Sequence, residues 1–367
     1  MFKKVLTISV VLAFSLMVVF SAGSQVAEAQ GEDTKVGIVL STGGLGDLSF
    51  NDAAYRGLEM AEEDLGIEFD YIEPSDPSED ETSLRRFAER GYDLVIGVGF
   101  QMADTLEVVA SEYPDVKFAH VDNDFGDDIL DNVVSLNFKE WEGSFLAGAL
   151  AALVTENDVV GYVGGVDSAL IHRFEGGFYQ GVKHIDSDIE VKSRYADSFG
   201  DPARGREIAL GMIDDDADVI YHAAGGTGSG VFEAAEEEDI YAIGVDSNQN
   251  FVAPGYIIAS MLKKVDTAVY NVVEDVVEGD YEGGRNLYFS LAGGGVGLTS
   301  LTELDVEERQ AYEEDEIDEE ELNTIKEMKE EVTAPHADRI NEIKQKIMNE
   351  EIEVENWGET GRPDDLD

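Results

Sequence analysis

The chain has 367 residues, 43% of them hydrophobic, with 80 acidic against 25 basic side chains for a formal net charge of −55. That length accommodates two domains with a real core, and that charge repels nucleic acid and anionic lipid, so neither is expected as a partner. The chain has no cysteine, which excludes disulfides, thiol catalysis and cysteine metal sites.

Residues 1–29 read as a signal peptide. A basic "MFKK" precedes the apolar "VLTISVVLAFSLMVVFSA", and Ala27 and Ala29 then stand at the spacing a signal peptidase needs. Left uncleaved, the same stretch is an anchor; no later segment is apolar enough to span a bilayer. The protein is expected to be exported, to the periplasm or the outer face of the cytoplasmic membrane. A charge of this size disfavours a compact state unless salt screens it. At molar ionic strength the Debye length falls to about 3 Å, so the acidity reads as adaptation to a high-salt habitat.

After the polar linker "QGEDT", apolar runs alternate with helical spacing. "KVGIVL", "FDYIEP", "YDLVIGVG", "KFAHVD" and "NVVSLNF" predict strands, with helices such as "AAYRGLEMAEEDLG" and "QMADTLEVVASEYP" between them. The pattern restarts with "VVGYVGG", "VKSRYAD", "ADVIYHAAGG" and "IYAIGVD". Phe50, Tyr55 and Gly57 share their spacing with Phe174, Tyr179 and Gly181, each set following the first strand of its half. Two similar α/β lobes with parallel sheets follow, each glycine allowing its helix to pack closely on the sheet. From Thr302 to Glu353 the chain is helical and very acidic, and Ile317, Leu322, Ile325 and Met328 at three- and four-residue steps predict a helix lying on a lobe.

Ligands of open parallel sheets bind beyond the carboxyl ends of the strands, which directs attention to the loops after residues 40, 98, 121, 164, 222 and 245. The turn "STGGLGDLSFNDAAYRG" (residues 41–57) is glycine-rich and opens a helix. "GGTGSG", beginning at Gly225, puts backbone amides at a helix start, where an anion is favoured. Both lack the lysine of a phosphate-binding loop. None of His120, His172, His184, His222 and His336 has the spacing of a nucleophile elbow or a metal site, so no catalytic residue, metal or cofactor is expected. His120 and His222 fall at strand ends, where packing or ligand contact fits better than catalysis. Phe50 at a helix start and Tyr221 at a strand end, with Asp122 and Asp246 closing "FAHVD" and "AIGVD", suit a flat heteroaromatic ring carrying hydroxyls. For either aromatic alone, core packing remains the alternative.

"GGLGDLSFND", "NVVSLNFKEWEGSFLAGALAA", "GYVGGVDSALIHRFEGGFYQGVK", "SFGDPARGREIA", "DVIYHAAGGTGSGVFEAA", "AIGVDSNQ" and "SMLKKVDTAV" occur in that order from about residue 35 to 300. In these blocks the chain resembles the basic membrane protein family, the PnrA-like substrate-binding proteins of ABC transporters, which include purine nucleoside binders. The resemblance implies a type I periplasmic-binding fold, its two doubly wound lobes joined by a multi-stranded hinge. It implies lobes at 35–137 plus about 254–285 and at 138–253 plus about 286–301, with the tail 302–367 packed on one of them. Phe50 matches a stacking aromatic and Tyr221 stands where the second is expected, with Phe174 its rival. Asn51 and Asp122 match polar positions near the ligand, and Asp246 and Lys263 match the pair that holds ribose hydroxyls. The block from Glu142 to Gly148 reads as helix packing. Ser41 and Thr42 replace an acid common in relatives, which implies a different base preference, and Gly225 completes the expected lining. Relatives are commonly lipoproteins, and the lipid-bearing cysteine is missing here. The implied protein is a monomeric receptor, not an enzyme, that hands a nucleoside to a separate permease and ATPase. The alternatives are the same fold reporting another small solute to a sensor kinase, or a nucleoside-processing enzyme.

Overall fold

The computed structural model describes residues 34–363; the expected signal peptide lies outside them. The chain runs β1 (Lys35–Val39), α1 (Phe50–Leu65), β2 (Glu68–Ile72), α2 (Asp80–Glu89), β3 (Leu94–Val98), α3 (Ala103–Glu112), β4 (Lys117–Val121) and β5 (Val133–Phe138). It crosses through α4 (Glu140–Val154) to β6 (Val159–Gly164), α5 (Ala169–Ile185), β7 (Glu190–Tyr195), α6 (Pro202–Ile213), β8 (Val219–Ala223), α7 (Gly228–Glu238), β9 (Tyr241–Asp246) and β10 (Ile257–Lys263). It returns through α8 (Val265–Glu278) to β11 (Arg285–Phe289), crosses again to β12 (Val296–Leu298), and ends in α9 (Val306–Glu313), α10 (Glu319–Met328), α11 (Ala337–Met348) and α12 (Trp357–Thr360).

Two six-stranded sheets result, ordered β11-β5-β4-β3-β1-β2 and β12-β10-β9-β8-β6-β7. Every pairing is parallel except β10 with β12, where Met261 faces Leu298. The two orders are the same when the second lobe's strands are matched to the first's, so the lobes repeat one strand order and differ in the direction of the edge strand, β11 parallel and β12 antiparallel. The expected boundaries need correction: residues 257–263 pair with β9 in the second sheet, and 285–289 pair with β5 in the first. The chain therefore changes lobe at Phe138–Glu140, at Lys263–Val265 and between Phe289 and Val296. These crossings lie side by side, with Lys139 N–H donating to the Phe289 carbonyl and Lys264 N–H to that of Gly295, both at 2.9 Å.

Helix α1 buries Ala53, Ala54, Gly57, Leu58 and Ala61, a stripe at helical spacing, and stops at Gly66 in the left-handed conformation. The matched glycines Gly57 and Gly181 do permit close packing, but against the crossing helices rather than the sheets. A Cβ on Gly57 would strike the Asp266 carbonyl of α8, and one on Gly181 the Phe145 carbonyl of α4. Helix α4 is buried on nearly all sides, from Gly143 to Ala152, because it lies against α5, α11 and the strands β8, β10 and β12. The acidic tail lies on the second lobe. Ile317, Leu322 and Ile325 gather with Phe251, α11 contributes Ile340, Ile343 and Ile347 to the main core, and Trp357 stacks over Gly176 of α5.

Candidate functional site

The turn after β1 is organised by Asp47. Its carboxylate accepts the backbone N–H groups of Ser49 (2.9 Å), Asn51 (2.9 Å) and Asp52 (3.2 Å) and the side-chain amide of Asn51 (3.1 Å). Asn51 in turn accepts from the Ser41 backbone N–H at 2.9 Å. The anion position at the N-terminus of α1 is thus filled by the chain's own carboxylate. Burial pushes the Asp47 carboxyl up, against these donors. At the second glycine loop the amide of Thr227 is likewise spent, donating to the Phe199 carbonyl at 3.1 Å. The first turn is therefore not left as a phosphate cradle.

The lobes meet over a cavity of about 610 Å³ of empty space, counted out through its open mouth. Ser41, Thr42, Phe50, Asn51 and Asp122 line it from the first lobe. Phe174, Gly225, Asp246 and Lys263 line it from the second. All these were expected. Tyr221 is the exception and is corrected: it is fully buried inside β8, its ring against Phe178 and Tyr162 and its hydroxyl 3.1 Å from that of Ser144. The cavity begins at Ala223, at the end of the strand; Tyr221 shares that face two residues earlier and lies deeper, in the core. His120 and His222 are packing residues, edge-on to Phe125 and Phe232. Burial pushes them down to about 3 and about 4, which keeps both neutral.

Asp122, the residue after β4, and Asp246, the last residue of β9, both have a left-handed backbone, at φ 75° and 63°. Each takes a short bond from the opposite lobe: Lys263 Nζ donates to Asp122 at 2.6 Å, and the Ser49 hydroxyl donates to Asp246 at 2.6 Å. Lys263 is 2% exposed. Its ammonium also lies over the rings of Phe50 (4.9 Å), Phe138 (5.1 Å) and Phe174 (5.5 Å). Burial alone would lower its pKa, but Asp122, Glu140 and Asp246 outweigh burial and hold it above the ordinary lysine value. Burial lifts the Asp246 carboxyl to about 6, with Lys263 and Ser49 pulling it down.

Several lining residues were missed by sequence reasoning: Asp47, Phe100, Gln101 and Phe199. Phe199 follows β7, a loop left out of the expected set although it lies in the quoted "SFGDPARG". A side chain at Gly165 would collide with the Phe199 ring, so that glycine makes room for it.

The family model for the PnrA-like ABC transporter substrate-binding proteins matches residues 34–356. The chain belongs to this family. It is similar to a protein of Lactococcus lactis subsp. cremoris named ABC transporter nucleoside-binding protein BmpA, with 33% identity over 81% of this chain and 91% of that one. It is also similar to basic membrane protein A of Borreliella burgdorferi, with 32% identity over 77% and 84% of the two chains. A protein of Pyrococcus abyssi described as a lipoprotein shares 32% identity over 95% of this chain and 90% of its own. Among solved structures, an ABC transporter solute-binding protein of Aeropyrum pernix K1 superposes with a TM-score of 0.82 at 33% identity, covering 87% and 92% of the two chains. A sugar-binding protein of Bacillus halodurans shares the fold alone, with a TM-score of 0.57 at 16% identity over 73% and 97%. This PnrA-like protein therefore has the type I periplasmic-binding fold. It is the extracytoplasmic substrate-binding component of an ABC transporter, which implies a solute, a permease and an ATPase as partners. Such a component binds and delivers, and catalyses no reaction. Among the described residues no helix is long and apolar enough to cross a membrane.

Proposed function

We propose that the solute is a purine nucleoside, held between the lobes by a monomeric receptor working at high salt. The observation that carries the reading is the division of the cavity. Phe50 of one lobe and Phe199 of the other offer ring faces for a planar base, while Asp122, Asp246 and Lys263 form a polar end for hydroxyls. Phe199 is a better second face than Phe174, which is 3% exposed and packed in the main core. The printed name of the Lactococcus relative agrees with this chemistry. The cavity also disfavours phosphate: Asp47, Asp122 and Asp246 line it, and Lys263 is paired within it. The selectivity expected is for nucleosides over nucleotides.

Thermal unfolding at molar salt with inosine, guanosine, adenosine and their 5′-monophosphates tests this. Saturable stabilisation by at least one nucleoside, and none by the monophosphates, is expected; at a hundredfold excess over Kd the gain is about 2.7 kcal/mol. Indifference to every nucleoside overturns the reading.

A further inference from the structure

Behind Lys263, away from the cavity, stands a carboxylate that the proposed binding chemistry does not use. Glu140 is 0% exposed, its Oε1 lies 3.4 Å from Lys263 Nζ, and its Oε2 lies 3.7 Å from Arg173. Among the described residues neither oxygen has a hydrogen-bond partner. The group is held by charge between two cations, without directed bonds. Burial pushes its carboxyl up against their pull, so it is a costly residue to keep.

The fold does not need it there. Glu140 is the first residue of α4 after Lys139, and Val265 is the first residue of α8 after Lys264. The two crossings match, yet one opens on a buried acid and the other on a valine. Burying an ion pair contributes little net stability compared with apolar packing, so the acid calls for another account.

Its position supplies one. Lys263 ends β10 in the second sheet, and Glu140 begins the helix packed on that lobe, whereas Asp122 belongs to the first lobe. When the lobes part, Asp122 moves away and Glu140 stays. Asp246 of β9 stays as well, but burial weakens it as an anion, and an ammonium facing Phe138 and Phe174 with that carboxylate alone would hold its proton less tightly. We propose that Glu140 is a positioning residue for Lys263, a hinge-borne counter-charge that keeps the lysine ionised and aimed into the cavity while the site is open. This rests on the reading of Lys263 as a ligand group. The groups facing the ammonium are Asp122 from β4, Glu140 from α4 and Asp246 from β9, with Arg173 of α5 behind Glu140.

The test follows the side-chain resonances of Lys263 by NMR in the full, ligand-free, isotope-labelled protein at molar salt, with Lys263→Met for assignment. In Glu140→Gln the lysine should titrate about one pH unit lower than in wild type or more, a tenfold loss of proton affinity, and Glu140→Asp should restore it. Inosine affinity should fall roughly tenfold in Glu140→Gln, most steeply above pH ~8 where the lysine begins to discharge. An unmoved titration, or an equal shift in Glu140→Asp, overturns the proposal. Should Glu140→Gln fail to fold, Asp122→Asn serves in its place by removing the first-lobe partner. Lys263 should then stay charged past pH ~9, and discharge near neutrality overturns the proposal. Because the titration needs no ligand, its failure is distinct from a failure of the nucleoside reading, which inosine binding to wild type decides.

Discussion

Asp122 and Asp246 stand at the same place in the two lobes, one residue beyond or at the end of the matched strands β4 and β9, with the same left-handed backbone. Their surroundings differ in kind. Asp122 receives an ammonium, and Asp246 receives a hydroxyl. The first is an ion pair across the lobes, made through one carboxylate oxygen. The second is a carboxylate lifted to about 6 by burial and without a full counter-charge. A repeated fold has thus been given an asymmetric floor: one acid spends its charge on the protein, and the other holds it ready for a donor from outside.

The largest expected effect breaks or upholds that difference. The folded-state pKa of Asp246 is raised from 3.8 to about 6, so the folded chain holds this proton more tightly than the unfolded one. Its contribution to stability therefore falls as pH rises from about 4 to about 6 and stays unfavourable above. Asp246→Asn should be more stable than wild type by about 3 kcal/mol at pH 7, with the gain vanishing near pH 4, in urea unfolding at high salt. Asp122→Asn should move the other way, losing about 2 kcal/mol at pH 7 with the charge-assisted bond to Lys263. Equal signs for the two variants would end the comparison. Inosine affinity of wild type should rise between pH 5 and 7, since only the ionised Asp246 accepts a hydroxyl fully.

Much of this arrangement was legible in the sequence because it follows from periodicity. Strands ending in "VD" in both halves located Asp122 and Asp246 without coordinates, and the spacing shared by Phe50, Tyr55, Gly57 and Phe174, Tyr179, Gly181 announced the repeat. The exchange of β10 and β11 between sheets was not legible, since strand and helix go on alternating through α8 and nothing local says which sheet the next strand joins. Glu140 was invisible for a different reason: it is one of 80 acids, and only its burial sets it apart. Tyr221 and Phe199 were effectively exchanged. A strand advertises its residues by pattern, whereas a loop residue reaches a cleft through backbone geometry that a pattern does not carry.

The next effect in size sharpens the comparison of aromatic walls. Phe50 and Phe199 come from opposite lobes and are offered as the two faces of one slot. Phe50→Ala and Phe199→Ala should each weaken nucleoside binding by roughly 1–3 kcal/mol in calorimetry. The losses should be of similar size and should not add, because a base stacked on one face only is freer to tilt. A large loss for Phe50 with none for Phe199 would return the second face to Phe174.

The smallest effect separates the wall from the core behind it. Tyr221 is 0% exposed, and its hydroxyl lies 3.1 Å from that of Ser144 on the crossing helix α4. Burial drives its pKa upward, so it stays a neutral phenol. Tyr221→Phe keeps the ring against Phe178 and removes one buried hydroxyl pairing, which should lower stability by about 1 kcal/mol. Nucleoside affinity should not change, because no atom of Tyr221 borders the cavity. Since Ser144 sits on the helix that begins with Glu140, an affinity change in this variant without a matching loss of stability would mean that the strand interior feels the ligand through α4. The separation between a chemically active floor and an inert core would then fail at that point.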